Sequence, residues 1–186
     1  HRVLSERYYD MAMVLMKQRK FDEAIKMNKQ SLARKLHIHG GEDHPDIAWA
    51  YICIGFLLME QNRLDDALQM CDRVIEMCDR LGPGEVNRMI LAAPLAGKAA
   101  IRDKQGDLEA ATELLEESLA IQVEVLGEMH PETAEVYQKI AVMYGKQDRL
   151  DDAIRASAKA LQIRRNELGE DHPYTVHCFS FFVQLK

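Results

Sequence analysis

The side chains best suited to chemistry in this sequence are its histidines. Three of them stand in near-copies of one pentapeptide, Gly41-Glu42-Asp43-His44-Pro45, Gly127-Glu128-Met129-His130-Pro131 and Gly169-Glu170-Asp171-His172-Pro173. An imidazole in such a turn offers a base or a metal ligand. However, 42 positions separate His130 from His172 and 86 separate His44 from His130, so a repeat governs their placing. The spacing therefore predicts a structural imidazole that caps or packs at a turn. His37-Ile38-His39 with His44 nearby resembles a loose metal cluster, but no third and fourth ligand stand at zinc-site spacing, and no metal site is predicted. The acidic pairs Asp65-Asp66, Glu116-Glu117 and Asp151-Asp152 resemble catalytic carboxylates. Adjacent helical residues diverge by about 100°, and acids at a helix start suit its dipole, so these are read as helix-start and surface charges. The sequence offers no nucleophile-base pairing, phosphate loop or glycine fingerprint. We predict no catalytic residues, no cofactor and no enzyme.

Elements of a repeat must position these residues. Glycine closes a helix in the left-handed conformation and proline suits the first turn of the next, so each pentapeptide is a helix-to-helix hinge. Apolar spacing then predicts helical hairpins at about 3–38, 46–81, 85–126 and 132–168, with a final leading helix at 174–186. The restart Arg63-Leu64-Asp65-Asp66-Ala67 returns as Arg149-Leu150-Asp151-Asp152-Ala153. The third unit is irregular. Gly82-Pro83-Gly84 replaces the hinge, Arg88-Met89 stands where His-Pro would be, and Pro94 falls within the leading helix. Proline there predicts a kink near Leu91 or a helix that starts late. Residues 1–186 read as one solenoid array, all-α, and as a piece of a longer one.

Composition narrows the function classes. Lys+Arg 24 against Asp+Glu 30 gives a net charge of −6, which disfavours a general phosphate-binding surface, so no nucleic acid partner is expected. The longest apolar run, residues 47–59, is too short to span a bilayer and contains Gly55, so no membrane insertion is expected. Cys53, Cys71, Cys78 and Cys178 lie in helical patterns without CxxC spacing, and no signal peptide is visible. They read as reduced core thiols of a cytoplasmic protein.

Small and aromatic residues inside two-helix units carry a family likeness. Tyr8, Met11, Ala12, Leu15, Phe21 and Ala24 match in the first unit, and Tyr51, Ile54, Gly55, Leu58, Leu64 and Ala67 in the second. Tyr137, Ile140, Ala141, Tyr144, Leu150, Ala153 and Ala160 match in the fourth. The third matches at Leu95, Ala99, Leu108 and Ala111 but sets Lys98 and Arg102 at nominal core positions. This pattern resembles the tetratricopeptide repeat. Leu-Gly-x-x-His-Pro at residues 126–131 and 168–173 narrows the resemblance to the long repeats of kinesin light chains. The resemblance implies a right-handed superhelical α-solenoid, leading helices inside, serving as a protein-protein scaffold with a cytoskeletal or ciliary association in reach. The asparagines with which kinesin light chains grip cargo are replaced by Ile52-Cys53, Ala96-Gly97 and Gln138-Lys139. The family's carboxylate clamp for chaperone tails is likewise absent at Tyr9, Met13 and Ile52.

The leading helix of the second unit is apolar on every face. Tyr51, Ile54, Gly55 and Leu58 supply its core, yet Trp49, Ile52, Phe56 and Met59 form a further apolar stripe, and Tyr9, Met13 and Met16 extend it in the first unit. A helix apolar all round is normally buried all round, so the stripe is either internal packing or an interaction site. The second reading makes these seven residues the partner-binding site, in the concave groove of the first two hairpins, for an apolar or amphipathic peptide or helix of another protein. Glu135, Gln138 and His177 make the far end polar. The alternative is a structural segment that self-associates, its groove filled by its own chain or a second copy.

Overall fold

A computed structural model describes the backbone of residues 2–184 and, within it, every side chain except those of residues 2–6, Tyr9, Glu85 and Phe181. The described residues form nine helices and no strand: α1 (Arg2–Lys17), α2 (Phe21–Ile38), α3 (Pro45–Glu60), α4 (Leu64–Leu81), α5 (Glu85–Gln105), α6 (Leu108–Leu126), α7 (Pro131–Lys146), α8 (Leu150–Leu168) and α9 (Pro173–Gln184). The chain divides into two compact units, His1–Gly97 and Lys98–Lys186, and the division falls inside α5.

Within the first unit α1 packs on α2, α2 on α3 and α3 on α4. Ile47 and Ala48 of α3 bury against Val74, Met77 and Cys78 of α4 and Ile90 of α5. Gly55 lets α3 and α4 approach, since a Cβ there would stand 3.2 Å from Cβ of Met70. Met11, a repeat-matching position, departs from expectation. It is exposed, and the core face of α1 is carried by Ala12 and Leu15.

In the second unit α6 packs on α7, α7 on α8 and α8 on α9. Thr133, Ala134, Val136, Ile140 and Ala141 fill the inner side of α7, and Cys178 of α9 is buried with Ala160 and Leu161 of α8.

The turns inside the hairpins follow one rule. Arg19, Asn62 and Asp148 take positive φ of 59°, 58° and 57°, and the third hairpin meets the same requirement with Gly106 at 84°. Only glycine adopts that conformation without steric cost.

α5 corrects the reading of the third unit. It does not start late but begins at Glu85, so Arg88 and Met89 lie inside it, and it is continuous to Gln105 with Pro94 fully buried. Asn87 Nδ2 donates to the Gly82 carbonyl at 3.0 Å and ties the helix start to its turn. Proline has no N–H, so the Ile90 carbonyl loses its usual donor four residues on. The core of α5 is built from Ile90, Ala92, Leu95, Ala99 and Ile101. Lys98 and Arg102 are only half-buried, and the Arg102 guanidinium reaches Gln105 at 3.0 Å. Charged heads leave the core while the stems pack, and Ile101 takes the inward place.

Candidate functional site

The hinge histidines have a shared and local task. Asp46 N–H donates to His44 Nδ1 at 3.1 Å, Glu132 N–H to His130 Nδ1 at 3.2 Å and Tyr174 N–H to His172 Nδ1 at 3.3 Å. Each imidazole thus satisfies a backbone donor that a helix start leaves unpaired, with proline at the first helical position. Three histidines doing one structural job, two of them 42 positions apart, are not a catalytic set.

The first hinge carries more than the other two. His39, which closes α2, stacks on His44 with ring centroids 3.5 Å apart and planes at 15°. Its Nε2 stands 3.4 Å from Asp46 Oδ2, and His44 Nδ1 is 3.6 Å from the same oxygen. Asp46 was not distinguishable by sequence from the other acids at helix starts. His37 lies outside this cluster.

Two of the acidic pairs stand at helix starts and hold arginines, whereas Glu116-Glu117 lies midway along α6. Asp66 pairs with Arg63, and Asp152 with Arg149 and Arg155. The four cysteines are free thiols, with Cys71, Cys78 and Cys178 buried. Burial pushes the Cys78 and Cys178 thiols up, away from the reactive thiolate.

The apolar stripe of α3 is the feature with the character of a binding surface. Ile47, Ala50, Ile54, Leu57 and Leu58 occupy the inward side, and the opposite side presents Trp49 at 47% and Phe56 at 45% exposure. Ile52 and Met59 on the same flank are half-buried, and Ile52 packs against the first unit's core, so its part in any surface is partial. Met13 and Met16 of α1 are half-buried, and the Tyr9 side chain lies outside the described residues.

The second unit has a cleft of about 560 Å³ among α6, α7 and α8, walled in part by Tyr137, Ile140 and Tyr144. Its polar groups already answer one another. Tyr144 O–H donates to Glu116, Tyr137 O–H donates to Glu128 at 3.2 Å, and Lys159 reaches Glu128 at 2.8 Å. Lys159 holds the Glu128 carboxyl below its ordinary range, while burial and then the Glu116 contact push the Tyr144 phenol up to about 12. Hairpins with this repeated turn, hinge cap and small-residue packing match a tetratricopeptide repeat family model over residues 5–80 and 89–166.

The chain belongs to the tetratricopeptide repeat family. Comparison with curated protein sequences finds no match. Among solved structures, this tetratricopeptide repeat chain is similar to BtubC (BKLC) from P. vanneervenii, with a TM-score of 0.85 and 21% identity over 99% of this chain and 72% of that one. It is also similar to a putative kinesin light chain with nearly identical TPR-like repeats from Podosopora anserina, with a TM-score of 0.78, 17% identity and coverage of 100% and 86%. The apo form of RapI aligns with a TM-score of 0.77 at 15% identity, over 97% of this chain and 62% of that one. At these identities the likeness is one of fold, an α-solenoid of helical hairpins. Tetratricopeptide repeats generally serve as non-catalytic scaffolds for protein-protein interaction. Among the described residues, no helix is long and apolar enough to cross a membrane.

Proposed function

We propose that residues 1–186 act as one array, a non-catalytic scaffold that docks an apolar or amphipathic peptide or helix of a partner protein in the concave groove of its first two hairpins, on the sides of α1 and α3 turned from their cores. The site comprises Tyr9, Met13, Met16, Trp49, Ile52, Phe56 and Met59. The observation that carries this reading is the exposure of Trp49 and Phe56 on the side of α3 opposite its core. Two large aromatic rings held half in water are the kind of anchors that protein interfaces use, and the flanking methionines adapt to different side chains. Burying them supplies roughly 1.5–3 kcal/mol gross per side chain, which association costs reduce to about micromolar affinity. A cargo-adaptor role like that of kinesin light chains, in the cytoplasm and on cytoskeletal or ciliary partners, fits the repeat type.

Trp49 is the single tryptophan of the chain and so reports directly on the site. Amphipathic helical peptides selected on the full chain from a random display library should blue-shift Trp49 emission and shield it from acrylamide. The same peptides should lose binding to Trp49→Ala/Phe56→Ala while the variant keeps its helical circular dichroism. Selected peptides that bind both proteins equally, or a double variant that unfolds, would remove the basis for this reading.

A second reading, self-association, draws on the exposed Val176, Phe179 and Val183 of α9. Light scattering across a concentration series separates the two. A monomer supports the scaffold reading, and concentration-dependent growth that Phe179→Ser abolishes supports assembly.

A further inference from the structure

We infer that the first hinge is a binding site for a divalent transition-metal ion of zinc type, ligated by His39, His44 and Asp46. His39 Nε2 and His44 Nδ1 stand 3.4 and 3.6 Å from Asp46 Oδ2. An ion with bonds of about 2.0–2.1 Å in tetrahedral geometry sets its ligand atoms roughly 3.3 Å apart, so both separations already match edges of that tetrahedron. All three donors lie within 4.8 Å of one another. Two imidazoles and a carboxylate suit zinc and its neighbours rather than calcium or magnesium.

The internal repeat shows that this grouping is not needed for the turn. His130 and His172 cap their helices with the same imidazole nitrogen, yet Val125 and Glu167 stand where the first hinge has His39, and Glu132 and Tyr174 where it has Asp46. His39 and Asp46 together are therefore additions to a hinge that His44 alone completes.

Coordination has two structural consequences. Imidazole lone pairs lie in the ring plane, and the two rings are stacked nearly parallel, so one ring must turn about its χ2 to meet the ion. Both side chains are partly exposed, which leaves room for that rotation. The His44 Nδ1 lone pair also leaves the Asp46 N–H for the metal, so the ion replaces the helix cap and takes over the joining of α2 to α3. Two neutral imidazoles and one carboxylate leave one net positive charge on a divalent ion. Water completes the sphere, because the Asp43 carboxylate is held by Arg80 at 2.6 and 3.2 Å. Lys35 Nζ, 3.0 Å from the Asp46 carbonyl, is the neighbouring charge that opposes binding.

The test uses the full chain, stripped with chelator and titrated calorimetrically with zinc chloride alone. One ion per chain is expected, with a rise in melting temperature. His39→Ala and Asp46→Asn should each weaken binding by about tenfold or more. His44→Asn keeps a side chain able to cap the helix while removing the ligand, so it should stay folded and lose the ion. Cobalt(II) substitution should give a tetrahedral d–d spectrum that His39→Ala abolishes. His37→Ala and His172→Ala should bind as the parent does. Undiminished zinc affinity in His39→Ala, equal loss in His172→Ala, or no binding at about 100 µM zinc would overturn the assignment.

Discussion

Trp49, Ile52, Phe56 and Met59 of α3 stand at the repeat positions that Glu135, Gln138, Val142 and Gly145 hold in α7. Both helices begin at the proline of a histidine-capped hinge and both bury their inward faces against a partner helix. They differ on the remaining face. In α7, Glu135 pairs with Lys139 at 2.7 Å and Gln138 accepts from the Cys178 thiol at 2.9 Å, so the Glu135 and Gln138 positions of that face are polar and have partners within the fold. In α3 the same face presents Trp49 and Phe56 to water. The fold fixes which positions must be buried and leaves the outward face free to vary, so function is to be sought where two equivalent helices disagree.

The largest expected effect tests the shared part of that comparison. Ile54→Ala in α3 and Ile140→Ala in α7 remove equivalent buried side chains, and each should cost about 2–5 kcal/mol in denaturant unfolding. Trp49→Ala/Phe56→Ala, by contrast, should stay within about 1 kcal/mol of the parent, since half-exposed side chains lose little transfer energy. A cost for the double variant as large as that of Ile54→Ala would mean the stripe is core and would break the contrast.

The next effect concerns the helix shared by the two units. α5 lacks one backbone hydrogen bond at Pro94, so amide exchange across residues 84–105 should be faster than in α3 or α7. Pro94→Ala should slow it and stabilise the chain by about 1–2 kcal/mol, the restored bond outweighing the volume lost. Exchange as slow in the parent as in the neighbouring hairpins would count against a weakened α5.

A smaller effect belongs to the hairpin turns. Asp148→Gly should stabilise by about 1 kcal/mol and Gly106→Ala should destabilise by a similar amount, because both positions need positive φ. Thermal melts read both, and a change of the same sign at the two turns would contradict the common geometry.

The smallest effect is confined to alkaline pH in the second unit. The Tyr144 phenol is raised from 10 to about 12 by burial and by its bond to Glu116. Its native value exceeds the unfolded one, so the contribution is complete below pH 10 and lost as pH rises toward 12. After solvent screening the loss should be below about 1 kcal/mol, and Tyr144→Phe should flatten it.

The sequence by itself determined the helices, the hinges, the hairpin order and the repeat family. Those features rest on local rules: glycine and proline at hinges, acids at helix starts, and apolar residues at helical spacing. It also marked Trp49 and Phe56 as one flank of α3, since periodicity fixes which residues share a face. Only the tertiary structure decided that the flank is open at those two rings while Ile52 leans into the core. Exposure depends on what the neighbouring helices cover, and no local pattern reports that. The same reason explains α5, where Ile101 rather than Arg102 turned inward. It explains the first hinge as well, where Asp46, one helix-start acid among several, came to face two histidines because α2 and α3 bring the ends of their hinge together.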